Sequence, residues 1–246
     1  MRNELSENGL SRNLGAFYRL GAIVAIIALG AGLLDIILSM IPGWGVDTVP
    51  HTAAEWFIQL NNQPLLGLRN LDLINLMVAL ISIMLYGALF TAMKEKALLS
   101  SLLGLVFFAL GTFLFFAYNG ALAMMELSKA YATAAGDEKK ALEAAAYAVL
   151  AKARHGSLGN FWVFFLSEIG TLFMVIAMAQ SAVFSKALAW LGLGATISLL
   201  IYTLLDTFVP GSKNIAMAIV VPGGLAMMVW NALVARQLWA LADGKK

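Results

Sequence analysis

The sequence predicts an all-α integral membrane protein, built as a bundle of six transmembrane helices with one amphipathic helix outside the membrane. The first observation is composition: 61% of the 246 residues are hydrophobic and 12% are charged, against about 45–50% and about 25% in soluble domains. Lipid must therefore cover surface that charged side chains cannot. The second observation is that apolar segments of about 20 residues, the length of a membrane-crossing helix, recur along the chain.

Six apolar segments follow one another after a polar stretch at residues 1–12. They span residues 17–41, 66–93, 98–126, 160–184, 187–209 and 214–241. Pro42 and Gly43 end the first segment, and a short stretch around Trp56 is predicted to lie at the membrane interface before the second. Lys94, Glu95 and Lys96 separate the second segment from the third. The connections among the last three are too short for a soluble domain, so we expect one domain over residues 1–246.

Residues 128–155 are polar enough to leave the membrane. Gly136, Asp137 and Glu138 resemble a helix start, and apolar residues then recur at helical spacing opposite charged ones. The apolar positions are Leu142, Ala145, Ala146, Val149 and Ala153. This pattern predicts an extracytoplasmic amphipathic helix inserted between the third and fourth spans.

Six spans place both termini on one side, and the basic residues predict which side. With the termini in the cytoplasm, nine of the sixteen Lys and Arg residues are cytoplasmic, which fits the positive-inside rule. The nine are Arg2, Arg12, Arg19, Lys94, Lys96, Lys186, Arg236, Lys245 and Lys246. We therefore expect a multi-pass protein of the cell membrane with both ends cytoplasmic.

Glu168 is the acid predicted to lie deepest in the membrane. It is the ninth residue of a span that begins near Asn160, about 12 Å inside the helix start. An ionised carboxylate at that depth is costly unless it is neutralised, paired or facing water, so it marks a candidate functional site. The alternative is that Glu168 only ties helices together. Phe164, Ser167 and Thr171 share its stripe, which is predicted to face the bundle interior.

Other polar groups are biased to the predicted outer half of the bundle. Arg69, Asp72 and Asn75 recur every three residues, so Arg69 and Asp72 are placed to pair within one helix. Asn119 and Asp206 lie near the outer ends of the third and fifth spans. With Glu168, these residues predict an acidic polar vestibule open to the outside. The alternative is that the charged groups near helix ends simply reach the interface.

The sequence shows few signs of the better-known chemistries. It has no cysteine and two histidines, without the spacing of a known metal motif, so we assign no metal site, no cofactor and no catalytic residue. No basic run interleaved with aromatic residues indicates nucleic-acid binding. Membrane lipids are the expected partners, with a small cationic ligand or a lipid headgroup in the vestibule. The sequence makes no prediction of oligomeric state.

Three segments carry a family resemblance: residues 64–73 (PLLGLRNLDL), residues 131–135 with the alanine-rich stretch that follows, and residues 183–192 (VFSKALAWLG). In order and spacing they resemble a bacterial and archaeal family of uncharacterised multi-spanning membrane proteins, classed as a domain of unknown function. The resemblance implies a polytopic membrane fold over nearly the whole chain. It supplies no activity and no catalytic residues.

Three functions remain open at this point. The first is a non-enzymatic binding, sensing or accessory membrane protein, which the vestibule would serve. The second is a small transporter or channel, which needs a polar route through the apolar inner half. The third is an intramembrane enzyme acting on lipid, with Glu168 as acid or base.

Overall fold

The computed structural model describes residues 2–45, 48–154 and 156–244, and over these ranges the chain is helical without any strand. The all-α prediction is confirmed. The helices are α1 (Arg2–Ser39), α2 (Ala53–Asn62), α3 (Pro64–Asn70), α4 (Leu73–Tyr118), α5 (Ala121–Thr133), α6 (Asp137–Ala153), α7 (Leu158–Ser181), α8 (Lys186–Phe208) and α9 (Lys213–Ala242).

Five helical segments among the described residues are long and apolar enough to cross a membrane. They are Asn13–Ser39, Leu73–Thr133, Asp137–Ser181, Lys186–Phe208 and Lys213–Ala242. A crossing helix needs about 20 residues, so these lengths fit a multi-pass membrane protein. The second segment covers 61 residues, far more than a single crossing requires.

The excess length arises because α4 is two antiparallel arms. Ala97 has φ −142° and ψ 48°, which interrupts the helix beside the Lys94–Lys96 connection. The rings of Tyr86 and Phe108 stack with centroids 3.7 Å apart, although 22 residues of straight helix would separate them by about 33 Å. The chain therefore turns back at Ala97, and residues 73–96 and 98–118 form a helical hairpin.

The two predicted boundaries at the open end of this hairpin differ from the structure. The second span was expected to begin at residue 66, but Asp72 has a left-handed backbone (φ 58°), which separates α3 from α4. The third was expected to run to residue 126, but α4 ends at Tyr118. Asn119 ends it because its side chain donates to the Leu71 carbonyl oxygen (2.8 Å) and accepts from the Ala121 amide (3.0 Å).

The bundle is built around α7, which packs against both arms of α4. The Tyr86 hydroxyl on the first arm lies 2.5 Å from the Thr171 hydroxyl on α7. The second arm approaches more closely: a Cβ added at Gly170 would lie 2.3 Å from the Phe108 backbone nitrogen, and one at Gly111 would lie 2.6 Å from the Ser167 nitrogen. Small residues allow such close backbone contact, which is how helices associate in lipid.

The short helices form a separate structure that we call the cap, comprising α2, α3, α5 and α6. Phe57 of α2, Met124 of α5 and Ala146 of α6 are fully buried in one apolar cluster. Asn119 joins the cap to the start of α4 by its bond to Leu71. At the other end of the bundle, Arg19 of α1 pairs with Asp243 after α9 at 3.0 Å. We call this the terminal end, because α1 begins and α9 ends there.

Candidate functional site

Glu168 lies on the third turn of α7 and is 8% exposed. The helix starts where the Ser157 hydroxyl accepts a hydrogen bond from the Asn160 amide (3.2 Å), a standard N-terminal cap. Apolar residues surround Glu168 on its helix, and Asn160 (9% exposed) and Thr171 (7%) share its buried stripe. The carboxyl group therefore faces other helices rather than lipid.

One of the two carboxyl oxygens of Glu168 has a protein partner and the other has none. The Thr203 hydroxyl of α8 donates to Glu168 Oε1 at 2.9 Å. Glu168 Oε2 is buried and makes no hydrogen bond with the described residues. No ion pair formed by the described residues includes Glu168. A buried polar atom without a partner is unusual in a folded protein and requires an explanation.

Glu168 lines a cavity of about 410 Å³ inside the bundle, which we call the inner cavity. Residues from α1, both arms of α4, α7, α8 and α9 surround it. Among the described residues of its wall, Glu168 has the one carboxyl group, and none is Lys, Arg or His. The aromatic part of the wall consists of Tyr86, Phe108, Phe164, Tyr202 and Trp230. The inner cavity is thus an apolar, aromatic space with a single acidic group.

A larger cavity of about 480 Å³, which we call the outer cavity, lies between the cap and the bundle. The cap side of the outer cavity includes Trp56 of α2, and His51 from the loop that precedes α2. It also includes Tyr147 of α6 and Arg154 at the end of α6. Its bundle side includes Asp72, Phe115, Tyr118, Asn119, Asn160 and Val163. The outer cavity therefore combines both signs of charge with amide and aromatic groups.

The six predicted site residues do not share one cavity. Asp72 and Asn119 line the outer cavity, whereas Glu168 lines the inner one. Arg69, Asn75 and Asp206 line neither of these two cavities. Asn75 is exposed, and its amide donates to Asp72 Oδ1 at 2.9 Å.

Arg69 does not form its predicted ion pair with Asp72. Its guanidinium instead pairs with Asp35 of α1 (2.9 Å), donates to the Ser39 hydroxyl (2.7 Å) and bonds the Trp44 carbonyl oxygen. The prediction was wrong because α3 ends at Asn70 and the backbone turns at Asp72, so the two residues do not share a helix. Arg69 fastens the cap to the end of α1.

Comparisons of the chain with protein-family models, curated proteins and solved structures found no match. The argument about the site therefore rests on the geometry of this chain alone. Within the part of the chain that the structure describes, no group of three or more His, Asp or Glu side chains is arranged to hold a metal ion.

The two cavities follow one another along α7. Asn160 and Val163 face the outer cavity, and Phe164, Ser167 and Glu168 face the inner one on the following turns. Tyr202 of α8 lines the inner cavity and not the outer one.

Sequence reasoning missed several residues of the site, including Tyr86, Tyr202, Thr203 and Arg154. Thr203 had a recognisable signal: it follows Thr196 by seven residues on α8, so both hydroxyls lie on one buried face (0% and 5% exposed). Tyr86 and Phe108 had none, because their stacking depends on the turn at Ala97.

Proposed function

We propose that the chain crosses the membrane six times, with both termini in the cytoplasm and the cap on the extracytoplasmic side. The α4 hairpin supports this number, because each of its arms has more than 20 residues and the two run in opposite directions. The contact between Arg19 and Asp243 supports termini on one side. The connection that contains Lys186 meets α9 near the terminal end, where Gln237 donates to the Val183 carbonyl oxygen (3.3 Å). The hairpin turn with Lys94 and Lys96 meets the end of α7, where Ser100 donates to Gln180 (2.9 Å). These lysines agree with the positive-inside rule.

The topology can be tested by cysteine labelling, because the native chain contains no cysteine. Single cysteines at Lys96 and Lys140 would be treated in intact cells with a membrane-impermeant maleimide. We expect labelling of the cap position, Lys140, and labelling of Lys96 only after the membrane is made permeable. Labelling of both positions in intact cells would contradict six spans with a cytoplasmic hairpin turn.

We propose further that the protein is a non-enzymatic binding or sensing protein whose ligand occupies the outer cavity. The observation that carries this proposal is that cap and bundle both form the cavity wall. A ligand bound there would contact both parts and change the equilibrium between their arrangements, which is the physical basis of a sensor. The volume of the outer cavity, about 480 Å³, lies within the range of small-molecule sites.

The chemistry of the outer cavity fits a zwitterionic lipid headgroup. Arg154 provides a guanidinium, which suits a phosphate group, and Asp72 provides a carboxylate, which suits an ammonium group. Leu71, Phe115 and Val163 add apolar surface for the first carbons below a headgroup. Because the cap is proposed to lie on the extracytoplasmic side, such a headgroup would enter the outer cavity from the outer leaflet.

Binding is favoured over transport by the packing of the terminal half of the bundle. Met93, Met174, Met178 and Leu238 are fully buried there, and they form one apolar core with Trp230. A transport route needs polar groups or water along its length. The closed core supports a site that opens on one side.

Lipid-dependent stabilisation would test this function. Purified protein would be melted with a short-chain phosphatidylcholine, with an anionic lipid of equal chain length, and with an uncharged diacylglycerol. We expect the zwitterionic lipid to raise the melting temperature most, and Arg154→Gln to remove that preference. Lys152→Gln is the matched control, since Lys152 is an exposed cation on the same helix that does not line the cavity. Equal responses of the two variants would contradict the proposal.

A further inference from the structure

We propose that the inner cavity binds a hydrophobic organic cation, such as a lipophilic amine or a quaternary ammonium ion, with Glu168 as its counter-ion. This site is distinct from the outer cavity, and the inference does not rest on the function proposed for that cavity. It rests on four features of the inner cavity: an unpaired carboxyl oxygen, the absence of a protein cation in its described wall, the aromatic side chains and the volume.

The unpaired oxygen is the first step. A carboxyl group that served only to tie helices would use both of its oxygens, because each unsatisfied buried polar atom costs stability. Glu168 uses Oε1, which accepts from Thr203, and leaves the buried Oε2 without a partner among the described residues. An interaction at Oε2 is therefore what the site lacks.

The charge of the wall gives the sign of the ligand. No Lys, Arg or His is present in the described wall of the inner cavity. A carboxylate in such surroundings needs a counter-charge from outside the protein, because an isolated buried charge is unfavourable. A monovalent cation would neutralise Glu168 without leaving any excess charge in the cavity.

The aromatic rings favour an organic cation. Tyr86 and Phe108 stack on each other at 3.7 Å, and Tyr202 and Trp230 line other parts of the same space. Aromatic faces attract ammonium groups through the ring quadrupole, and clusters of such rings recognise quaternary ammonium ligands. The same rings contact the hydrocarbon groups of the ligand.

An inorganic cation fits less well, because Glu168 has the one carboxyl group in the described wall of the inner cavity and most of that wall is apolar or aromatic. A hard cation requires several oxygen ligands close together. A volume of about 410 Å³ instead matches a ligand with many non-hydrogen atoms.

A pair of ions equal in shape and opposite in charge provides the decisive probe. Radiolabelled tetraphenylphosphonium and tetraphenylborate would be titrated onto the full chain in lipid nanodiscs, with empty nanodiscs subtracted. We expect saturable binding of the phosphonium and none of the borate. We expect sodium and potassium, compared at equal ionic strength, to compete equally with the phosphonium. No saturable phosphonium binding, or equal binding of both ions, would overturn the proposal.

Glu168→Gln tests the residue itself, because it keeps the side-chain shape and removes the charge. We expect at least a tenfold loss of phosphonium affinity. Glu126→Gln is the control: Glu126 is an exposed acid on α5, paired with Lys129 at 2.7 Å, and it should bind as the wild type does. Unchanged phosphonium affinity in Glu168→Gln would overturn the assignment of Glu168 as the counter-ion.

If Glu168→Gln does not fold, proton competition in the wild-type protein gives the same information. Protonation removes the charge of Glu168, so the affinity for the permanently charged phosphonium should fall as the pH is lowered. A phosphonium affinity that is independent of pH over the range in which the protein stays folded would contradict a carboxylate counter-ion.

Discussion

The bundle combines a core of large side chains with close backbone contacts between helices, whereas the cap is held by side-chain packing. In the bundle, the second arm of α4 meets α7 backbone to backbone at Gly111 and Gly170, where even a methyl group has no room. In the cap, large side chains form the contact, as in the packing of Phe57 on Tyr131 at 4.7 Å between ring centroids. Close backbone packing suits a lipid environment and side-chain burial suits water. On the proposed topology, each region therefore contains the kind of packing that its surroundings, lipid or water, make favourable.

The two cavities differ in the chemistry of their walls. The described wall of the inner cavity has one acid among aromatic side chains, so the selectivity of this cavity would depend on charge. The outer cavity has Asp72, Arg154 and several amides, so its selectivity would depend on the arrangement of a ligand's polar groups. The helices around the inner cavity meet in close backbone contact at Gly111 and Gly170, which opposes rearrangement there. The cap is therefore the region in which we expect ligand-dependent motion.

The largest expected effect is at the bundle contact. Gly170→Ala would place a Cβ 2.3 Å from the Phe108 nitrogen and 2.8 Å from its Cα, both of them backbone atoms that cannot turn aside. The helices must separate, and we expect a loss of about 3 kcal/mol or more of stability. Thermal unfolding in detergent would measure it. Gly194→Ala is the control, because nothing lies within 4 Å of its added Cβ. Similar melting of the two variants would contradict the close contact.

The second effect should be confined to the cap. Phe57→Ala removes a side chain that is 0% exposed, and we expect a loss of about 3 kcal/mol in the stability of the cap. Hydrogen exchange should accelerate in α2, α5 and α6 and stay unchanged in α7. Ile58→Ala, at a neighbouring position that is 57% exposed, should have little effect. Equal acceleration in α7 would show that cap and bundle unfold as one unit.

A third, smaller effect tests the tie between the regions. The Arg69 side chain is 9% exposed and holds the end of α1 through Asp35, which is 51% exposed. Because one partner is open to water, we expect Arg69→Gln to cost about 2 kcal/mol, less than a fully buried pair would lose. Amide exchange should rise in α3 and at the end of α1. Lys140→Gln, which removes an exposed pair with Asp137, should change nothing measurable. Equal effects would contradict a tethering role for Arg69.

Particular residues show what the sequence could and could not predict. The fifth span was predicted over residues 187–209, and α8 covers Lys186–Phe208. The two agree because the apolar length and the serine at the helix start, Ser185, are local signals. The burial of Glu168 also followed from its depth in an apolar segment. The partner of Arg69 was missed because Asp35 lies 34 residues away, and spacing within one segment carries no information about such a contact. The sequence predicted one vestibule, whereas its residues divide between two cavities, because each cavity joins distant segments.

The smallest expected effect concerns the pH dependence of the cap. Glu55 accepts hydrogen bonds from the His51 amide (2.8 Å) and the Thr52 amide (3.1 Å) at the start of α2. These two backbone bonds hold the pKa of Glu55 below its ordinary value of 4.5. A lowered pKa in the folded state means that the contribution to stability is present above pH 4.5 and is lost as the pH falls through the lower value.

Acidification from pH 6 to below 4.5 should therefore increase hydrogen exchange in α2 of the wild-type protein, after correction for intrinsic rates. The Glu55→Gln variant should lack this acid-induced increase in exchange, because an amide does not titrate in this pH range. In that variant the start of α2 is already weakened at pH 6. Glu138→Gln, at an exposed acid on α6, should retain the increment. If Glu55→Gln and the wild type respond equally, the opening of α2 depends on other carboxyl groups, and the proposed role of Glu55 is contradicted.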